Sequence, residues 1–261
     1  MGSLAGKSPA NTYKSLLKVA DETNGVTSSY SKIEDGEGIQ SSVSITNNKV
    51  RVQPTSADST AVFDVKNESG SALLTVDSSN SVVKVGTSQV SATTQLLTFA
   101  AYRLVPSASG THMVVGLGAL EYATEMAERT LGTGTDPSTS LNSTTTTDDY
   151  TNAIFPVPYN MTIDAVKVLS STDTDTDTTL NFHLMSYDMV ADGTTSDGDL
   201  SNGVVLADGQ ATSVDRSVTK TTDLTIQSSS VTNGKVIMCT VENETNTDDI
   251  NLQVQVKYHI A

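Results

Sequence analysis

The chain has 261 residues, of which 36% are hydrophobic, 5% aromatic and 17% charged, and it contains no tryptophan. With a mean hydropathy of −0.17, this composition argues against disorder throughout and allows one large or two modest folded domains. The formal charge of −15 would repel phosphate groups and anionic lipid, so we expect no nucleic-acid partner and no membrane surface as partner. No apolar run approaches the roughly 18 residues that span a bilayer, so we also expect no membrane insertion.

The first segment, residues 1–32, has the composition of an arm with little core of its own. In "SPANTYKSLLKVA", Ser8 could cap and Pro9 could open a short helix. The same residues are compatible with an extended arm, and both alternatives stay open. In either form we expect residues 1–32 to gain their order on another protein.

Residues 33–90 consist of short strands joined by turns of Asn, Asp, Gly and Ser, which are loose internal repeats. The clearest is "SALLTVDSSNSVVKVGTS" at residues 71–88, which predicts a hairpin. Its apolar residues alternate with polar ones, so each strand has one apolar face. A lone hairpin cannot cover such a face. The sequence therefore predicts a β-rich stalk in which three copies of the chain intertwine as a homotrimer.

Residues 91–131 carry signals for both strand and helix. The runs "TTQLLTFAAYRLV" and "HMVVGLGAL" are typical of strands. Within residues 117–131 the sequence predicts one short helix, with a strand as the alternative. The helix rests on four apolar residues at helical spacing, which are Leu120, Ala123, Ala127 and Leu131.

The remainder of the chain predicts an antiparallel β-sandwich that starts at residue 91. A polar stretch near residues 132–152 has no periodicity and is typical of a linker or long loop. Seven strand-like runs follow, and residues 250–260 alternate most regularly. Together with one strand from before the linker they predict an all-β head of two sheets, jelly-roll-like in form.

Parts of the sequence resemble a family of virion structural proteins of marine bacteriophages that are described as tail-fibre-like or fibre-like. The resemblance lies in "FHLMSYDMVADGTTSDGDLSNGVVLADG", in the terminal "LQVQVKYHI" and in the opening "SPANTYKSLLKV". It implies that residues 1–32 attach to other virion proteins, that residues 33–90 form a trimeric stalk and that residues 91–261 form an outward-facing head. It brings no set of functional residues with it.

The loop "YDMVADGTTSDGDLSN" is the predicted binding loop, because it joins two firm strands with more residues than a hairpin needs. Its Asp192, Asp197 and Asp199 offer the oxygen ligands that Ca²⁺ prefers, although the spacing and terminal Glu of an EF-hand are missing. The alternative is a solvated turn with no ion. Tyr187 is the only aromatic residue nearby. We expect weak hydrogen-bonded contact with a host surface glycan or protein, multiplied by three copies.

The remaining reactive residues predict no chemistry. His112, His183 and His259 are far apart in sequence and lack metal-ligand spacing, so no zinc site is predicted. His183 and His259 occupy outward positions of alternating strands, where a solvated or interface histidine is expected. Cys239 lies in "KVIMCTV" and is expected to be a buried small hydrophobe. We therefore predict no catalytic residue, no cofactor beyond a possible Ca²⁺, and no enzyme.

Three functions are compatible with these features. The first is a virion fibre that attaches to the host surface. The second is a capsid decoration or head-fibre protein that stabilises or spaces the particle with the same fold. The third is a polysaccharide-cleaving spike, which would need two carboxylates about 5 to 9.5 Å apart in a cleft. A short chain and few aromatic residues count against the third.

Overall fold

The chain forms two compact units, Met1–Ala92 (unit 1) and Thr93–Ala261 (unit 2). The predicted arm and stalk both belong to unit 1, and almost all of the predicted head belongs to unit 2. Every regular element in the described part of the chain is a β-strand, which confirms the all-β class. No helix there is long and apolar enough to cross a membrane. The computed structural model describes residues 16–21, 23–106, 108–118, 121–122, 130–142, 151–191 and 198–261.

Unit 1 contains two four-stranded antiparallel sheets whose strands follow each other in chain order. Apart from the longer connection from β1 to β2, successive strands within each sheet are joined by short turns, in which Asn, Asp and Gly adopt the required backbone angles. Sheet I consists of β1 (Lys18–Val19), β2 (Ser31–Glu34), β3 (Gln40–Ile45) and β4 (Val50–Val52). Sheet II consists of β5 (Phe63–Lys66), β6 (Ala72–Asp77), β7 (Val82–Val85) and β8 (Val90–Ser91).

The hairpin predicted from residues 71–88 is present as β6 and β7, with Asp77 opposite Val82. Residues directly opposite each other in a sheet share one face. The pairings of sheet II therefore collect seven apolar side chains on a single face. These are Phe63, Val65, Leu74, Val76, Val83, Val85 and Val90.

The helix-or-arm alternatives at Ser8 and Pro9 lie outside the described residues and stay a prediction. Where the description begins, the chain is extended. Lys18 stands opposite Glu34 in the pairing of β1 with β2. The end of the predicted arm is thus part of sheet I.

Unit 2 contains two six-stranded sheets. Sheet III has the order β10-β19-β14-β15-β17, with β12 beside β19. Sheet IV has the order β11-β9-β20-β13-β16, with β18 beside β13. The strands are β9 (Thr94–Leu104), β10 (His112–Val115), β11 (Glu121–Tyr122), β12 (Phe155–Pro156), β13 (Met161–Thr172), β14 (Thr178–Met189), β15 (Leu200–Val214), β16 (Lys220–Asp223), β17 (Thr225–Ile226), β18 (Ser230–Val231), β19 (Lys235–Asn243) and β20 (Ile250–Ile260).

Sheets III and IV share one apolar core, so unit 2 is a sandwich-like fold. Pairing is antiparallel throughout, apart from the short parallel contact of β11 with β9. The core takes alternate residues from both sheets, such as Phe182 from β14 and Val254 from β20. The predicted last strand matches β20, whose alternation places one face in this core. Cys239 is fully buried in it, as expected, and burial raises the pKa of its thiol.

The predicted helix within residues 117–131 is wrong at residues 121–122, which form the strand β11. Most of the other residues on which it rested lie outside the described part of the chain. Leu131 is described, and it is buried against residues of sheet III without being part of a helix. Helical spacing of apolar residues therefore did not by itself show that this segment forms a helix.

The polar stretch near residues 132–152 is not a free linker in its described part. Residues 130–142 lie across sheet III and will be called the covering segment. Its backbone is held at both ends, because Leu131 N donates to His112 O at 2.8 Å and Leu141 N donates to Leu200 O at 2.9 Å. Hydrogen bonds to strand backbone keep this Thr- and Ser-rich segment on the sheet in the absence of apolar periodicity.

Candidate functional site

Sheet III has an inner face in the main core and an outer face beneath the covering segment. Side chains of β19 alternate between them: Ile237, Cys239 and Val241 point inward, whereas Val236 and Met238 belong to a second core. This second core lies on the outer face. Its buried members are Val114, Leu131, Ala153, Met185, Tyr187, Leu200, Val236 and Met238.

Tyr187, predicted as the aromatic residue of the binding loop, belongs to this second core. Its side chain is fully buried, and its hydroxyl donates to Ser138 O of the covering segment at 2.9 Å. A side chain with no exposed surface cannot contact a ligand there. The assignment of Tyr187 to a binding surface is therefore corrected: it holds the covering segment against β14.

The acidic loop falls mainly outside the described residues. Asp192 and Asp197 are not described, so the predicted Ca²⁺ loop stays a prediction. The two ends of the loop are joined, because Val190 N donates to Asp199 O and Gly198 N donates to Val190 O, both at 2.9 Å. Within the described part of the chain, no group of three His, Cys, Asp or Glu could hold a metal ion.

The structure brings together two histidines that are 71 positions apart in sequence. The rings of His112 and His183 lie edge to face with centroids 5.1 Å apart. His112 is fully buried and His183 is 5% exposed, so His183 has the outward strand position that was expected but is not solvated. Both lie beneath the covering segment, which removes them from water. The third histidine, His259, lies on sheet IV and contacts Asp164 at 2.9 Å.

Each of the paired histidines contacts the covering segment through its Nε2 atom. His112 Nε2 lies 2.8 Å from Gly134 O, and His183 Nε2 lies 3.4 Å from Asp136 Oδ1. A carbonyl oxygen only accepts hydrogen bonds, so the Nε2 of His112 carries the hydrogen. The Nδ1 atoms of both rings are buried and have no hydrogen-bond partner among the described residues. A buried polar atom without a partner is rare and requires an explanation.

A cavity of about 240 Å³ opens beside His183 on the outer face of sheet III. Three of its lining residues are acidic, and no lysine or arginine stands among them within the described residues. The lining consists of Thr135, Asp136, Asn181, His183, Asp208, Gly209, Gln210 and Glu244.

Two amide side chains order the wall of this cavity. Gln210 Nε2 donates to Asn181 Oδ1 at 2.8 Å. Asn181 Nδ2 in turn donates to Glu242 Oε2 at 2.9 Å and to Glu244 Oε1 at 2.7 Å. The strand register explains this chain of bonds, because Asn181 stands opposite both Gln210 and Glu242.

Burial lowers the pKa of His183, and the neighbouring His112 lowers it further. The carboxylates of Asp136, Asp208 and Glu242 act in the opposite direction without offsetting the burial. His183 is therefore held neutral more strongly than an exposed histidine. The site then combines His183, which is disfavoured from carrying a charge, with three acidic lining residues and is an environment of negative charge.

Sequence reasoning missed this site for a definite reason. Asn181 and His183 alternate along β14, and Glu242 lies on β19, but only the pairing of these strands brings them together. The alternation predicted which residues share a face. It did not predict which strands are neighbours.

Comparison with known proteins adds no identification. Neither a search of protein-family models nor a search of curated proteins gives a match to this chain.

Proposed function

We propose that this chain is a non-enzymatic structural protein of a bacteriophage virion, a homotrimeric fibre displayed for attachment to the host surface. The observation that carries the proposal is the uncovered apolar face of sheet II. Within this face Phe63 is 43% exposed, Val85 41% and Val83 39% in a single copy of the chain. Copies of the chain that pack around a common axis would cover it.

The architecture of unit 2 supports the same proposal. Unit 2 has eight main strands when its two-residue strands are left out. Numbered one to eight in chain order, they are β9, β10, β13, β14, β15, β16, β19 and β20. The first, eighth, third and sixth form sheet IV, and the second, seventh, fourth and fifth form sheet III. We propose on this strand order that the sandwich is a jelly roll, a fold that viral capsid and lectin domains use.

The resemblance to fibre-like virion proteins supplies the remaining roles. Residues 1–32 attach to another virion protein, and the head binds a host surface glycan or protein through loops at its end. Three identical heads raise the avidity of a weak contact. Location in the virion follows from these roles, and decoration of the capsid is the competing function.

The trimer is tested by light scattering of the purified chain. We expect a mass three times the 27.4 kDa of one chain. Val83→Lys places a charge on the apolar face and should dissociate the trimer. Val82 lies next to it on the opposite face, so Val82→Lys is the matched control and should leave the mass unchanged. A wild-type chain that is a stable folded monomer would overturn the proposal.

Attachment is tested with the intact trimer on host cells. We expect the protein to bind cells and to compete with phage adsorption, and density for it at the tail or at the capsid separates attachment from decoration. Particles assembled with a chain that starts at Ile33 should lack the protein. Release of reducing ends from host polysaccharide would instead support the cleaving spike.

A further inference from the structure

We propose that the covering segment is a pH-operated cover of sheet III, which is released when His112 and His183 beneath it take up protons and closes again when they lose them. The inference is independent of the proposed virion function. It rests on three features of the structure: two imidazoles buried side by side, ring nitrogens without an acceptor, and a covering segment that buries little of itself.

The two imidazoles lie too close together, and too far from water, to carry charge at low cost. Their ring centroids are 5.1 Å apart, His112 is fully buried and His183 is 5% exposed. Two like charges at this distance repel each other, and a buried charge loses its hydration. Both costs fall when the covering segment leaves, because water then reaches the rings.

The Nδ1 atoms make protonation more costly while the covering segment is in place. A charged imidazole donates a hydrogen bond from each of its two nitrogens. The Nδ1 atoms of both rings are buried and have no hydrogen-bond partner among the described residues. A buried donor without an acceptor loses the full free energy of its hydration. Once the covering segment is released, the rings can turn toward water and both atoms find acceptors.

Carboxylates face the pair from several elements and favour its charged form. They are Asp136 of the covering segment, Asp208 of β15, Glu242 of β19 and Glu244 of the chain after β19. No lysine or arginine among the described residues lines the cavity beside His183. Their attraction is limited, because Asp136 is 62% exposed and Glu242 already accepts a hydrogen bond from Asn181. Burial, and then the charge of His112, therefore lower the pKa of His183 in spite of these carboxylates.

The covering segment can leave without unfolding the sandwich. Of residues 130–142, only Leu131 and Pro137 are buried. The segment is held by backbone hydrogen bonds to β10 and β15, such as that from Gly203 N to Thr139 O at 2.9 Å. Segments with few buried apolar contacts open at a lower free energy than the strands of a core. Protonation beneath this segment is therefore expected to open it before it unfolds the sheets.

One end of the covering segment is anchored on His112 itself. His112 N donates to Gly132 O at 2.9 Å, and His112 Nε2 lies 2.8 Å from Gly134 O. A movement of His112 in response to its charge therefore acts directly on this anchor. Release would uncover the part of the second core beneath the segment, where Tyr187 would lose its hydrogen bond to Ser138.

The experiment is amide hydrogen exchange of the full chain, read by mass spectrometry, at pH 7 and pH 5. Both values lie above the sequence pI of about 4.4, and each rate is compared with that of an unstructured peptide of the same sequence. We expect the protection of residues 130–142 to fall about tenfold, because each proton taken up on opening shifts the equilibrium up to tenfold per pH unit below about 6.5. Residues 250–260 of sheet IV should keep their protection. No fall in residues 130–142, or an equal fall in both segments, would overturn the proposal.

Histidine variants locate the response. His183→Gln should reduce the fall in protection to about twofold or less, since the group that takes up the proton is gone. His259→Gln is the matched control, because it replaces the histidine of sheet IV that contacts Asp164, and it should keep the tenfold fall. A full fall in His183→Gln, or its loss in His259→Gln, would contradict the proposal. Thermal melts at pH 7 confirm that each variant is folded.

Asp136→Asn tests the direction of the effect in a variant that keeps the shape of the side chain. Asp136 is exposed, so the replacement should leave the fold intact. Its carboxylate favours the charged form of His183 while the covering segment is closed, so its loss makes protonation there more costly. The fall in protection at pH 5 should therefore be about twofold larger than in the wild type. A smaller fall than in the wild type would contradict a release that the cost of buried charge drives.

Discussion

Units 1 and 2 differ in which side chains they bury. In unit 2 the residues without exposed surface are mainly apolar and form the two cores of the sandwich. In unit 1 every buried residue that the structure describes is polar, and the large apolar residues of its sheets are partly or fully exposed. The buried residues of unit 1 are Glu34, Ser44, Thr46, Thr75 and Asp77.

This inversion follows from the number of layers. A sheet covered by a second sheet buries its apolar face, as sheets III and IV do. On sheet II the polar face is buried by its own cross-strand pairs, such as Lys84 with Asp77 at 2.8 Å and Thr75 with Asp64 at 2.7 Å. Strand alternation therefore shows that a strand has an apolar face, and it does not show that the same copy of the chain covers it.

The largest effect is expected from a cavity in the core of unit 2. Phe182 is fully buried between the sheets, so Phe182→Ala should lower the free energy of unfolding by about 3–5 kcal/mol. Phe63→Ala is the control and should leave the unfolding transition of unit 2 unchanged, because Phe63 lies on sheet II of unit 1. Denaturant unfolding of the full chain measures both. A loss below about 1 kcal/mol for Phe182→Ala would contradict the two-layer core.

The contrast between the units also shows how far the sequence predicts the fold. Strong alternation located β20, β13 and the hairpin of β6 and β7, because period-two patterns depend only on local geometry. The helix at residues 121–122 was wrong because four apolar residues were taken as one stripe. Leu131, the described member of the four, is buried instead against strands that are distant in sequence.

The candidate site was less predictable than the fold. His183 was expected to be a solvated or interface histidine, and on the outer face of sheet III it is buried beneath the covering segment, whose Ser- and Thr-rich sequence gave no sign of packing. Tyr187 was expected in a binding loop and lies in the second core. In both cases a polar segment covers a strand face, and no periodicity in that segment reports the contact.

A smaller loss is expected where the covering segment approaches β15. A Cβ at Gly203 would lie 2.7 Å from Thr139 Cα and 2.6 Å from Cε1 of Tyr187, closer than side chains pack. Gly203→Ala should lower the free energy of unfolding of unit 2 by about 1–3 kcal/mol through overpacking. Val204→Ala, at the exposed neighbouring position of β15, is the control for thermal melts. Equal melting temperatures of Gly203→Ala and wild type would contradict the close approach.

The buried His183 predicts a pH dependence of the stability of unit 2. Because burial lowers the pKa of His183 in the folded state, the unfolded chain binds more protons as pH falls below the usual histidine pKa of about 6.5. The stability of unit 2 should therefore decrease as pH falls through that value, and the contribution of His183 to this decrease should level off below its lowered pKa. His183→Gln should flatten this part of the profile, measured by denaturant unfolding, whereas Gln255→Ala on sheet IV should keep it. An unchanged slope in His183→Gln would contradict the assignment.

The smallest effect is expected on the polar face of sheet II. It concerns a carboxyl group and therefore a lower pH range than the effect of His183. Lys84 and Asn80 hydrogen-bond the Asp77 carboxylate and lower its pKa from 3.8 to about 2. A lowered carboxyl pKa contributes stability that is present above the unfolded value and is lost as pH falls through the folded one. Asp77 should therefore make unit 1 lose stability between about pH 4 and pH 2, below the range in which His183 of unit 2 responds. Asp77→Asn should reduce this loss in thermal melts recorded across the acid range, with a remainder from Asp64, whose pKa is also lowered by its hydrogen bond from Thr75, and Gln53→Ala serves as the control. If Asp77→Asn kept the wild-type profile, the Lys84–Asp77 pair would not be what orders the polar face, and the burial of polar residues in unit 1 would need a different cause.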